Sequence, residues 1–159
     1  MGSDLTAASG GKREENEWQR SAIDKPASTG EGYAGHRNRN DDLKVIVKAK
    51  ELAVHTFKLT SNANRYPKKY RHSLVDKIQT KSLEIFETLF EANRINNKTH
   101  KQERCETITK AITFSDELLF YIELSMNLGL LNDNSAAYWS KMVQDVKYMA
   151  IAWRTRERQ

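Results

Sequence analysis

The chain has 159 residues, 38% apolar and 30% charged, with a formal net charge of +5, which suits one small soluble domain. Uncharged runs such as Leu124 to Asn132 fall far short of the roughly 18 apolar residues a membrane span requires, and the first residues carry no apolar signal region. A single cysteine, Cys105, excludes an internal disulfide and a cysteine-based zinc cage, so the expected compartment is cytoplasmic.

Composition changes sharply along the chain. Six of the seven glycines and one of the two prolines precede residue 40, and from residue 43 onward only Gly129 and Pro67 remain. Of 26 basic and 21 acidic residues, six and eight lie before residue 43, which leaves twenty against thirteen, or +7, on residues 43–159. Residues 1–40 therefore read as a flexible, disordered tail, whose few apolar residues show no period, with a short helix allowed around Glu14 to Ile23. The string Gly30-Glu31-Gly32-Tyr33-Ala34-Gly35 spells a dinucleotide-binding motif, yet Pro26-Ala27-Ser28-Thr29 precedes it where a buried strand belongs, so a linker is the better reading.

Four amphipathic segments fill residues 41–159. The first opens at Asp41-Asp42 as N-cap residues, repeats Val45, Ile46, Ala49, Leu52, Ala53 and Leu59, and ends in Ser61-Asn62-Ala63-Asn64. Pro67 opens the second, with Leu74, Ile78, Ile85, Leu89 and Ala92 on its stripe and Asn96-Asn97 at its close. The third begins near Thr99, carries Ile108, Ala111, Ile112, Ser115, Leu118, Leu119, Ile122 and Met126, and stops at Gly129. Asp133-Asn134-Ser135 caps the fourth, where Trp139, Met142, Val143, Val146, Ala150 and Trp153 recur at three and four. Strand signals are missing. Long helices joined by short connections fold back on one another, so the expected fold is all-α, an up-down-up-down four-helix bundle over residues 41–159.

That topology gathers charge at two ends. The start of the first helix, the second turn and the end of the fourth helix bring together Arg94, Lys98, Lys101, Arg104, Arg154, Arg156 and Arg158, with Lys44 and Lys48, against Glu51, Glu91, Glu103, Glu106 and Glu157. The opposite end gathers Arg65, Lys68, Lys69 and Arg71. Such an excess points to a polyanion, because phosphate neutralisation dominates nucleic-acid affinity, although no DNA-binding motif accompanies it. Tyr66, Tyr70 and His72 interleave with these cations, as in a stacking surface for single strands, or else pack over the bundle end. Tyr138, Trp139, Tyr148 and Trp153 exceed what one thin bundle buries, which predicts a subunit interface.

Catalytic and metal chemistry find little support. No glutamate stands three residues before a histidine, as di-iron bundles require, and Glu51 with His55 reads as a surface pair. His72 and His100 sit among cations, where phosphate contact or exposure is expected, and Cys105 lacks a histidine partner. No catalytic residue, cofactor or metal is expected, and the sequon Asn97-Lys98-Thr99 goes unused in a cytoplasmic chain.

Over residues 43–157 the pattern resembles a family of small four-helix bundles. It includes the accessory variability determinant of diversity-generating retroelements and related proteins encoded by intervening sequences of large-subunit ribosomal RNA. The resemblance rests on Tyr66-Pro67, Tyr70 to Leu74, Glu91-Ala92-Asn93-Arg94, Tyr121-Ile122-Glu123-Leu124 with Leu128-Gly129, and Ala152-Trp153-Arg154. It implies a homopentameric barrel with a basic surface, acting with a reverse transcriptase and template RNA; the 40-residue tail departs from the pattern. The leading expectation is a non-enzymatic, oligomeric RNA-binding accessory protein. A homo-oligomeric protein-interaction module without nucleic-acid binding is the alternative.

Overall fold

Near-exclusion of glycine and proline from residue 43 onward removes the residues that cost most inside a helix, and the chain is helical accordingly. The computed structural model describes residues 33–159. Among them four long helices follow one another: α1 (Tyr33–Thr60), α2 (Asp76–Arg94), α3 (Lys101–Asn127) and α4 (Asp133–Arg158). A 3-10 turn at Lys68–Tyr70 and a π turn at Arg71–Val75 lead from Pro67 into α2. The described residues contain no strand, so the fold is all-α. Most of the expected tail, the helix allowed around Glu14 to Ile23 and the start of the glycine string lie outside the described residues.

The ends of the helices follow from local chemistry. Helix α1 begins at Tyr33, eight residues before the expected start, and Asp42 is no cap: it is 5% exposed, held among cations. After Thr60, the Asn62 side chain accepts from the Asn64 N–H at 3.0 Å, an Asx turn that reverses the chain. Helix α3 closes in a Schellman motif, with Leu130 N–H donating to Ser125 O and Gly129 N–H to Met126 O, both at 2.9 Å. That motif needs a left-handed residue, and Gly129 has φ 73°. The cap of α4 is Asn132, one residue before the expected Asp133-Asn134-Ser135, its side chain accepting from Ser135 N–H at 2.8 Å.

Each helix packs on the next in chain order, and α4 closes against α1. The predicted stripes supply the core: Val45, Ala49, Leu52, Ile78, Ile85, Leu89, Ile108, Leu118, Ile122, Val143 and Val146 are buried. Met126 is an exception, exposed while Ser125 takes the inward position. Buried Thr60, Ser115 and Ser125 satisfy their hydroxyls on the carbonyl four residues back, so small polar residues sit inside without orphaned donors.

The expectation of surplus tryptophan is overturned. Trp139 and Trp153 are fully buried within one chain. An indole can be buried whole when its N–H finds a partner, and Trp139 Nε1 donates to the buried Thr56 hydroxyl at 3.0 Å. Tyr138 and Tyr148 do remain on the surface.

Candidate nucleic-acid interface

Cations matter to a polyanion only if they are free, so each predicted contact is judged by what its charge already does. At the end where α2 turns into α3, Arg104 lies inside the molecule, 7% exposed. Its Nη2 pairs with Asp42 at 3.3 Å and Glu157 at 3.1 Å, its Nη1 donates to the Ile95 carbonyl at 2.9 Å, and its guanidinium lies 5.0 Å from the Trp153 ring. Trp153 Nε1 in turn donates to Glu157 at 3.0 Å, and Arg156 reaches Asp42 from the other side at 3.2 Å. One network therefore ties α1, the α2 to α3 turn, α3 and α4 together.

Burial lifts the Asp42 carboxyl above its ordinary range. The hydrogen bond from Arg156 and the charges of Arg104 and Arg156 work against that shift, and Glu157 adds to it. Arg104 and Arg156 each keep a buried Nε with no partner among the described residues. Of the predicted RNA contacts, the structure therefore places Arg104 inside the protein with its guanidinium engaged, and Arg156 half-buried and paired with Asp42. Arg154 is half-buried and donates to Thr109 at 3.1 Å.

Around this closed network stand Arg94, Lys98, Lys101 and Arg158, all exposed and in no ion pair among the described residues. An Asx turn presents the loop, with Lys98 N–H donating to the Asn96 side chain at 2.9 Å. Lys44 and Lys48 pair with Asp41 and Glu51 on the surface of α1. Along the middle of the bundle, Lys81 bridges α2 to Glu117 of α3, and Lys147 bridges α4 to Asp116 of α3.

At the opposite end Lys68, Lys69 and Arg71 are exposed, Lys69 lying 5.0 Å from the Tyr70 ring. Tyr66 is buried and belongs to the core, and Tyr70 is half-buried against it, so packing claims the first of these tyrosines. Burial pushes the Tyr66 phenol up, moderated by nearby Ser125 and Arg65; Ser125 donates its own proton to Tyr121 O, and the phenol oxygen has no well-formed hydrogen bond. His72 pairs with Asp76 at 2.9 Å rather than standing free, and Thr99 contacts His100 at 2.7 Å.

Sequence reasoning missed Asp42 as the hub of an ion network, although a signal was present. Asp42 continues the Val45, Ala49, Leu52 stripe back by three residues, Arg104 stands four before Ile108, and Glu157 four after Trp153. Each is a charge in core register at the same end, which calls for a buried partner. The Glu51 and His55 pair is also corrected: Glu51 binds Lys48, and the His55 ring makes T-shaped contacts with Tyr138 and Trp139. Cys105 is a buried free thiol. No group of three or more His, Cys, Asp or Glu among the described residues is placed to hold a metal ion, and no described helix is long and apolar enough to cross a membrane.

Compared with protein-family models, curated proteins and solved structures, the chain matches none of them.

Proposed function

We propose that the protein is a non-enzymatic, cytoplasmic, oligomeric scaffold that holds nucleic-acid phosphates on a basic bundle end. The observation that carries this reading is the cluster of Arg94, Lys98, Lys101 and Arg158, exposed and without ion-pair partners among the described residues, on a region of net charge +7. Free cations on a rigid helical end position a phosphate backbone without reading bases. The helices are read as running up-down-up-down, which Arg104 supports by reaching the early part of α1, the end of α2 and the end of α4 at once. The resemblance to the accessory variability determinants supplies the proposed partners, a reverse transcriptase and template RNA, and the proposed homopentamer. Exposed Tyr148, Phe120 and Phe90, at 63%, 58% and 46%, supply apolar surface for self-association.

Binding of structured RNA, titrated against salt, tests the reading. Replacing Arg94, Lys98 and Lys101 with glutamine should weaken all RNA sequences about equally and flatten the slope of log affinity against log salt by about 2 to 3. Helicity should be unchanged, since none of the three is buried. Unaltered affinity and slope would place the RNA contacts elsewhere, whereas failure of the unsubstituted chain to bind RNA would favour the protein-interaction module, for which those exposed aromatic residues speak.

A further inference from the structure

At the far end of the α1 and α4 pair, two cations face a cleft of about 450 Å³. Lys58 comes from the last turn of α1, Arg65 from the loop that follows, and Asn134, Ser135 and Tyr138 from the start of α4. The lining contains no carboxylate, and neither Lys58 nor Arg65 has an ion-pair partner among the described residues. Arg65 is nonetheless fixed, because its Nη1 donates to Ser135 Oγ at 2.9 Å, which leaves the rest of its donor fork for a ligand. Asn62 accepts a backbone N–H through its side-chain oxygen, so its amide N–H₂ is left to donate.

His55 completes the wall, and its Nε2 is shut from water with no partner among the described residues. Beside it the cleft continues into a second hollow of about 510 Å³, which shares His55, Lys58 and Tyr138 and adds the apolar side chains of Val47, Val54 and Met142 together with Lys50 and Glu51, the latter paired with Lys48. Tyr138 stands where the two meet, 60% exposed, with its ring 5.2 Å from the imidazole. A cationic recess opening onto an aromatic and apolar trough matches a phosphate attached to a flat base.

We propose that the Lys58, Arg65 and His55 recess between α1 and α4 binds the phosphoryl group of a nucleotide, with its base lying along Tyr138. The nucleotide is either free or the 5′-phosphorylated end of a nucleic acid. This site is independent of the Arg94 surface and stands or falls without it.

Binding to the full chain by calorimetry separates the cases. Adenosine 5′-monophosphate should bind where adenosine does not, and Lys58→Gln or Arg65→Gln should each weaken it by about tenfold or more, as loss of a charged hydrogen bond does. Lys58 is exposed, so its variant folds and keeps the test valid if Arg65→Gln does not. Burial, then Arg65 and Lys58, hold the imidazole of His55 below its ordinary pKa, and a bound dianion should raise its titration as followed by NMR. A decanucleotide with a 5′-phosphate, set beside its 5′-hydroxyl twin, distinguishes a strand end from a free nucleotide; preference for either phosphorylated probe supports the site. Equal binding of phosphorylated and unphosphorylated probes, or full affinity in the Lys58→Gln variant, overturns it.

Discussion

The two ends of the bundle spend similar residues in opposite ways. Around Asp42, the buried guanidinium of Arg104 and the half-buried one of Arg156 meet carboxylates, and the charge is consumed in joining helices. Around Arg65, two cations and an imidazole line a cleft in which no carboxylate stands among the described residues. Net charge alone does not distinguish these arrangements. An arginine that holds the protein together is lost to a ligand, so the end richest in arginine offers fewer free cations than its composition promises.

The largest effect should come from the layer that both ends depend on. Ile85 is fully buried on α2, and Ile85→Asp places an unpaired charge there at a cost of several kcal/mol, comparable with much of a small domain's stability. Circular dichroism should show the helices lost, and both ends with them. A folded Ile85→Asp variant would mean that the helices do not rely on this core.

Next comes the direct contrast. Arg104→Met removes the shared partner of Asp42 and Glu157, whose side chains are only 6% and 12% exposed, and should cost about 3 to 5 kcal/mol in urea unfolding. Arg65→Gln removes one hydrogen bond to Ser135 beside an open cleft and should cost about 1 kcal/mol. If the two variants lose equal stability, the ends do not differ as described.

The helical stripes were legible because period and punctuation agree: Pro67 before α2 and Gly129 after α3 stand where their backbones demand, and the stripe residues between them are buried apart from exposed Met126 and half-buried Leu119. Two kinds of information were not. Asp42 looks like a cap to any local rule, since Asp favours helix starts; its role depends on Arg104 and Arg156, 62 and 114 residues away. Trp139 looks like an interface residue until Thr56, 83 residues away, supplies the hydroxyl that lets the indole be buried. Long-range satisfaction of polar atoms is what periodicity does not encode. The same blindness hid the cleft: His55 and Lys58 are neighbours on α1, but Arg65 is fixed by Ser135 and Tyr138 joins the wall only when α1 and α4 pack.

The smallest effect is also the most diagnostic, because acid should act on the two ends with opposite sign. Asp42 has its carboxyl raised above 3.8 by burial, so between that raised value and 3.8 the folded state binds more protons than the unfolded chain. Stability then falls as pH rises through that window, and the contribution of Asp42 improves on acidification. His55 has its imidazole lowered below 6.5 by burial and by Arg65 and Lys58, so the folded state there binds fewer protons. Its contribution is whole above 6.5 and is lost as pH falls toward the lowered value. Urea midpoints measured from pH 7.5 to pH 4 should therefore show wild type losing ground to His55→Gln just below pH 6.5. Against Asp42→Asn, wild type should gain ground on the approach to 3.8. Both differences moving in one direction would mean that the closed and open ends carry the same electrostatic strain, and the contrast between them would fail.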